Sequence, residues 1–229
     1  MQKRLIKTYL SNRPTQLQVY LGFLSLSFLL LIHSLDLANW KANAELVFQD
    51  HQYWRLFTTS LIHADLTHLG HNALFFTGLA ILLNTYFGWL IFPIMSIAMG
   101  GVINYFTLQF YEPQTYLVGI SGVIYFMAAF WMIHYIGIER RLSLKRRLIN
   151  TIAVALILLF PQSFDQQVSY LAHGIGFGSG TLVGLPYFLF NRTKYLASEV
   201  WEEIPITPEV IEVGDSGFPN FESSDTLIP

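Results

Sequence analysis

The sequence contains no cysteine among its 229 residues. A disulfide framework, thiol chemistry and a cysteine-based metal site are therefore all excluded. Charge is also scarce, since Asp, Glu, Lys and Arg make up only 12% of the chain, about half of their usual share in a soluble domain. Hydrophobic residues make up 53% instead. This balance excludes an ordinary soluble domain and indicates a protein of the membrane.

Six apolar runs in the chain approach the thickness of a lipid bilayer. They extend roughly over residues 17–35, 68–87, 90–110, 121–138, 148–160 and 169–190. A run of about 20 apolar residues crosses the hydrocarbon core as an α-helix, because a helix satisfies its own backbone hydrogen bonds in lipid. The sequence therefore predicts an all-α integral membrane protein, a bundle of six transmembrane helices.

Basic residues are concentrated on one side of this predicted bundle. Eleven of the 13 Lys and Arg residues lie before the first run, between the fourth and fifth runs, or after the sixth run. With six spans these regions share one side, and the positive-inside rule places both termini in the cytoplasm. The alternative is a signal peptide that is cleaved near Ala42-Asn43-Ala44. The first run is longer than the core of about 7–15 residues typical of such peptides, which favours an uncleaved helix.

Three regions follow from this division of the chain. Residues 1–15 are predicted to be a short cytoplasmic segment, and residues 16–191 the membrane domain. Residues 192–229 contain eight acidic residues together with several prolines and glycines. That composition predicts a mostly disordered cytoplasmic tail.

Two of the apolar runs begin near a polar residue that is capable of catalysis. Ser121 lies in Gly119-Ile120-Ser121-Gly122, and His173 begins His173-Gly174-Ile175-Gly176. A polar side chain in a membrane span is costly, so such a residue is a candidate functional residue. At 1.5 Å per residue, Ser121 lies about 27 Å above the first charge after its run, and His173 lies about 28 Å above Arg192. The two side chains are therefore predicted at one height near the outer surface, as a nucleophile and its base.

The second apolar run adds polar groups near the same level, since His68 and Asn72 lie about 30 and 24 Å above Gly88 at the cytoplasmic end of the run. His68 and Asn72 are four residues apart and therefore lie on one face of a helix. Acyl transfer requires hydrogen-bond donors that point at the developing oxyanion. The Asn72 amide, the His68 ring N–H and the Ser121 backbone N–H are suitable donors.

Four motifs, in this order, resemble those of the rhomboid intramembrane serine proteases of the minimal six-helix bacterial type. They are Trp54-Arg55, His63…His68…Asn72, Gly119-Ile120-Ser121-Gly122 and His173-x-x-Gly176-x-x-x-Gly180. Each motif alone is weak, whereas the ordered set, which covers about residues 54–184, is specific. The resemblance implies an endopeptidase of the bacterial inner membrane that cleaves transmembrane proteins within the lipid bilayer, near its outer face. It implies no cofactor, no metal and no nucleic-acid partner, and the sequence carries no signal of the oligomeric state.

The resemblance also implies roles for individual residues. Ser121 would be the nucleophile and His173 the general base, without the acidic third member of the soluble serine proteases. The fourth, fifth and sixth runs agree with this, since they contain no Asp or Glu. His68, Asn72 and the Ser121 N–H would form the oxyanion hole, and Gly119 belongs to the same support set.

Further positions would support this dyad. Tyr125, one turn after Ser121, matches a family position whose ring packs against the catalytic His, and His63 matches a position that supports the outer loop. Gly122, Gly176 and Gly180 would let two helices approach closely, as small residues do at transmembrane helix contacts.

Two alternatives remain open at this point. One is a catalytically inactive rhomboid-like binding protein, although such proteins typically lack the Ser or the His. The other is a membrane metalloprotein that uses His63, Asp65, His68 and His71, since His68-x-x-His71 has workable ligand spacing. The metal hypothesis would not explain why Asn72, Ser121 and His173 share a height.

Two loops are predicted to control access to the site. The outer loop, about residues 36–66, contains several aromatic residues and is expected to lie half-embedded in the interface. The short loop of residues 162–168 resembles the family's cap over the active site. It and the fifth helix are expected to move when substrate enters.

Overall fold

The computed structural model of the protein describes residues 2–35, 37–159 and 169–205. Its helices are α1 Gln16–Ser34, α2 Arg55–Thr58, α3 Leu66–Phe87, α4 Ser96–Leu108, α5 Ser121–Ile138, α6 Leu144–Leu159 and α7 Tyr170–Ala197. Within the described residues, four helical segments are long and apolar enough to cross a membrane: Gln16–Ser34, Leu66–Phe87, Leu90–Leu108 and Ser121–Ile138. The helical membrane fold agrees with the prediction, while the count of six spans remains a prediction.

The third apolar run is not one regular helix. Its first part, Leu90–Met95, forms a wide turn in which Phe92 is extended, with φ −131° and ψ 125°, before a cis peptide bond to Pro93. Proline has no N–H and disfavours a helical conformation in the residue before it. The regular helix α4 therefore begins only at Ser96.

Helix α5 is the centre of the bundle and packs against α3, α4, α6 and α7. Phe126 and Phe130 of α5 are fully buried in the main hydrophobic cluster. Helix α7 approaches α5 through glycines, and a Cβ atom at Gly176 would overlap the carbonyl oxygen of Gly122. At Gly180 it would overlap the carbonyl oxygen of Phe126. The two helices can therefore be this close only while these positions carry no side chain.

The segment between α1 and α3 is a chain of short turns with a small core of its own. Val47 and Leu56 pack against Leu108 and Leu117 in this core. Asn104 of α4 donates hydrogen bonds to the Leu56 carbonyl at 2.7 Å and to the Ser60 hydroxyl at 2.9 Å. The segment is therefore attached to α4 by both apolar and polar contacts.

Arg55 holds the first part of the same segment. Its guanidinium lies 4.6 Å from the centroid of the Trp54 ring and donates to the Lys41 carbonyl at 2.8 Å and to the Asn39 carbonyl. A planar fork of donors suits this task, because it can bridge several backbone acceptors at once. Trp54-Arg55 thus has a structural role.

The two ends of the described chain pair with each other. Strand β1, Gln2–Lys7, is antiparallel to β2, Val200–Ile204. Lys3 lies opposite Glu203 and Arg4 opposite Glu202, and such cross-strand pairs of opposite charge stabilise a ladder.

This pairing corrects the prediction of a mostly disordered tail for residues 192–205. Helix α7 continues to Ala197 and β2 follows it, and the N-terminal strand β1 supplies the pairing partner of β2. The rest of the predicted tail, residues 206–229, lies outside the described residues. So does the predicted cap loop, residues 162–168.

Candidate active site

The start of α3 is set by Asp65, which caps the helix. The Asp65 carboxylate accepts a hydrogen bond from the backbone N–H of His68 at 2.8 Å, one of the first-turn donors that lack an intrahelical partner. This hydrogen bond lowers the pKa of Asp65, since it stabilises the charged carboxylate. The cap places His68 in the first turn of α3 and Asn72 one turn later on the same face.

Gly119 brings the next element to this face of α3. Its φ of +105° lies in the region that favours glycine, and its N–H donates to the Thr59 carbonyl at 3.1 Å. A Cβ atom at this position would lie 2.9 Å from Cε1 of His68 and 3.7 Å from Nδ2 of Asn72. Both side chains therefore lie on the side of Gly119 where a Cβ atom would project, two residues before Ser121 begins α5.

Asn72 directs an unused donor into this region. The residue is only 7% exposed, and its Nδ2 has no hydrogen-bond partner among the described residues. A buried donor without a partner costs about 1–3 kcal/mol. The Asn72 amide is therefore available to an acceptor that arrives at the site.

His173 approaches the same place from α7. Its ring stacks on that of Tyr125, with centroids 4.1 Å apart and an angle of 11° between the planes. The neighbours of Ser121 and His173 along the chain are also in contact, since a Cβ atom at Gly122 would lie 3.4 Å from the carbonyl oxygen of Ala172. The crossing of α5 and α7 thus brings the ends that carry Ser121 and His173 together.

The start of α7 is held by polar contacts. The Ser169 hydroxyl accepts from the backbone N–H of Ala172 at 3.2 Å and from the hydroxyl of Tyr111 at 2.6 Å. The Ser169 carbonyl accepts from the His173 N–H at 3.2 Å. These contacts orient the first turn of α7 and, with it, the His173 backbone.

His63 lies beside His68, and neither nitrogen of its ring has a hydrogen-bond partner in the described part of the chain. It is 5% exposed, and its ring is edge-on to that of His68 at a centroid distance of 5.4 Å. Burial and, to a smaller extent, the nearby His68 lower the pKa of His63 to about 4. The imidazole is therefore neutral at pH 7.

His71 is exposed, and within the described residues no three His, Cys, Asp or Glu side chains converge as metal ligands do.

Thr59 is a positioning residue that the sequence reasoning did not identify. It is fully buried, and its carbonyl accepts the Gly119 N–H. Its hydroxyl donates to the Leu117 carbonyl and accepts the Ala42 N–H, the latter at 3.1 Å. Thr59 therefore ties the outer segment to the turn before Ser121. No pattern in the sequence distinguishes Thr59, because it lies in the polar triplet Thr58-Thr59-Ser60.

The fold and this cluster together define a helical membrane protein with Ser, His and Asn side chains at one end of its central helices. The family model of the Rhomboid domain matches residues 50–190. The chain therefore belongs to the rhomboid family, which is a family of intramembrane serine proteases that act on transmembrane substrates in the bilayer. Among curated proteins, no sequence matches this chain.

Proposed function

We propose that this protein is an active intramembrane serine endopeptidase, with Ser121 as nucleophile and His173 as general base. The observation that carries the proposal is the stack of His173 on Tyr125. Because Tyr125 lies one helical turn after Ser121, this stack holds the imidazole beside the end of α5 that carries the serine. The presence of both Ser121 and His173 favours an active enzyme, since inactive relatives typically lack one of the two residues.

The reaction begins when the Ser121 hydroxyl attacks the carbonyl carbon of the scissile peptide bond. His173 takes the hydroxyl proton and later donates it to the leaving amine as the C–N bond breaks. The resulting acyl-enzyme is hydrolysed by water, whose proton His173 accepts and returns to the Ser121 oxygen. The dyad works without a carboxylate, so the orientation of His173 depends on its packing.

The oxyanion of each tetrahedral intermediate would be held by the His68 ring, the Asn72 amide and the Ser121 backbone N–H. Two observations support this assignment. His68 and Asn72 lie beside Gly119, where a Cβ atom would project, and the Nδ2 of Asn72 has no hydrogen-bond partner among the described residues. Donors fixed in a site that excludes bulk water stabilise the developing charge most strongly.

Substrates would be transmembrane proteins cleaved near the outer end of their span. A regular transmembrane helix resists cleavage because its backbone is already hydrogen-bonded. Residues that weaken the helix near the outer surface are therefore expected in substrates. Entry beside α6 is favoured, because α6 packs chiefly against α5 and exposes apolar residues such as Ile152 and Ile157. The basic loops favour cytoplasmic termini and a site that faces outward.

The test is cleavage of a single-span model substrate by the full-length protein in membranes. Ser121→Ala is expected to abolish turnover. The control variant His71→Ala, altered at an exposed position of α3 between His68 and Asn72, is expected to retain it. A serine-reactive fluorophosphonate should label Ser121, and the labelling should depend on His173. Cleavage that survives Ser121→Ala, or that a chelator removes, would overturn the proposal.

A further inference from the structure

A second polar site lies at the opposite end of the bundle from Ser121. A cavity of about 540 Å³ opens between the ends of α5, α6 and α7, near Ile138. Seventeen residues of helix separate Ser121 from Ile138, which corresponds to about 26 Å. The cavity is therefore separate from the proposed active site, and its volume is typical of a small-molecule site.

Arginines dominate the polar lining of this cavity. Arg140 comes from the turn after α5, Arg147 from α6 and Arg192 from α7, against a single carboxylate, that of Glu199. Glu199 pairs with Arg140 at 2.8 Å, and its side chain is 8% exposed. The ion pairs of the described residues leave Arg147 and Arg192 without a carboxylate. The cavity thus has an excess of two positive charges.

Arg147 is the most constrained of these groups. One of its terminal nitrogens donates to the Ile136 carbonyl near the end of α5, where a cation suits the helix dipole. That role uses one of the five donors of a guanidinium. Its Nε is buried and has no partner among the described residues. Arg147 also has no carboxylate beside it in the described part of the chain, and a partly buried cation of this kind favours an anion next to it.

Apart from Tyr195, the rest of the lining is apolar and includes Phe188, Leu189 and Leu196. The cavity lies where α5 ends and the basic loop after it begins. In a membrane this is the depth of the lipid headgroups. A small soluble anion has no apolar surface to bury against this wall, so the wall would add nothing to its binding free energy. A lipid would place its phosphate among the arginines and its acyl chain along Phe188 and Leu189.

We propose that this cavity binds the phosphate group of an anionic lipid headgroup, with Arg147 and Arg192 as its main ligands. Arg140, neutralised by Glu199, completes the rim. Arginine suits this chemistry because its planar fork can donate two parallel hydrogen bonds to phosphate oxygens. Basic pockets between transmembrane helices bind anionic headgroups in this way. The site is independent of the proposed proteolysis.

The experiment uses the delipidated full-length protein in a neutral detergent. Binding of phosphatidylglycerol, phosphatidylcholine and inorganic phosphate is measured by native mass spectrometry and by the shift of the thermal unfolding midpoint. The wild type is expected to prefer phosphatidylglycerol over phosphatidylcholine. Arg147→Gln with Arg192→Gln should remove that preference, with a loss of affinity of about fivefold for each arginine.

The matched control is Lys145→Gln with Arg146→Gln. It removes the same charge from exposed positions of the same helix that do not line the cavity, and it should keep the preference. Because Arg147 also contacts the end of α5, the single variant Arg192→Gln serves as a second test that leaves that contact intact.

Equal binding of phosphatidylglycerol by the wild type and the cavity variant would overturn the proposal. Equal losses in the cavity and control variants would also overturn it, since they would indicate attraction to surface charge alone. In a third outcome, inorganic phosphate stabilises the protein through Arg192 while the protein shows no preference for phosphatidylglycerol. That result would assign the site to a soluble phosphate and would overturn the proposal of a lipid ligand.

Discussion

The imidazole of His173 lies flat on the phenol ring of Tyr125, at a centroid distance of 4.1 Å and an angle of 11°. The two residues come from different helices, and α7 reaches α5 at this point because Gly176 leaves room for the Gly122 carbonyl. In the proposed dyad, which lacks a carboxylate, this stack would restrain the imidazole, as the third member of a triad does elsewhere.

Removal of the Tyr125 ring should therefore lower kcat more than it raises KM. Stacking of aromatic rings is worth about 0.5–1.5 kcal/mol, so Tyr125→Ala is expected to reduce kcat by up to about tenfold. Tyr125→Phe keeps the ring and should retain most of the turnover. The measurement is steady-state cleavage of a single-span substrate. Equal kcat values for the Ala variant and the wild type would show that the stack does not orient His173.

The Asn72 side chain should act in the transition state. Loss of one oxyanion donor typically costs about 10²–10³ in kcat, and Asn72→Ala is expected to fall in this range with KM little changed. The control is His71→Ala, which alters the exposed neighbour in α3 and should keep kcat within about twofold of the wild type. A large rise in KM with kcat unchanged would assign Asn72 to substrate binding instead.

The glycines of α7 should differ in their tolerance of a methyl group. Gly176→Ala and Gly180→Ala place a Cβ atom against backbone oxygens of α5, and such overpacking costs about 1–3 kcal/mol. Gly178→Ala is the matched control, since no atom outside its own helix lies within 4 Å of its Cβ position. The control should be neutral or more stable by up to about 1 kcal/mol, because alanine favours helix. Thermal unfolding in detergent gives the comparison, and equal midpoints for Gly176→Ala and Gly178→Ala would contradict the close helix contact.

The Asp65 cap should make stability depend on pH. The pKa of Asp65 is lower in the folded protein than the ordinary value of 3.8, so its contribution is complete above that value. The contribution disappears as the pH falls through the lower pKa of the folded state. Thermal midpoints measured between neutral pH and about pH 3 should fall more steeply for the wild type than for Asp65→Asn, whose neutral side chain still caps the helix. Parallel curves would mean that the cap carries no charge-dependent stability.

Much of the local structure was predictable from the sequence. Helix α5 begins and ends at Ser121 and Ile138, as the fourth apolar run predicted, because a long apolar run that ends in charges has one stable conformation in lipid. The structure of the third apolar run was harder to predict. Its hydrophobicity concealed the interruption before Pro93, where the backbone chemistry of proline outweighs composition.

The candidate site was predictable as a set of residues but not as a geometry. The number of residues between each of Ser121, His173 and Asn72 and the cytoplasmic end of its helix placed all three near one level. That calculation requires only the rise of a helix. It could not reveal that Thr59 anchors the turn before Ser121, because that contact joins residues 60 positions apart through an irregular segment. Irregular segments have no period from which a contact can be inferred.

The membrane class, the positions of the main helices, the family motifs and the residues able to carry the chemistry can all be inferred from the sequence alone. These properties depend on local composition and on the short repeat of the helix. Three features become visible only in the folded protein. Strand β1 pairs with β2, His173 stacks on Tyr125, and arginines from three elements surround one cavity. Each of these depends on contacts between distant parts of the chain, which form only when the helices pack and their glycines allow close approach.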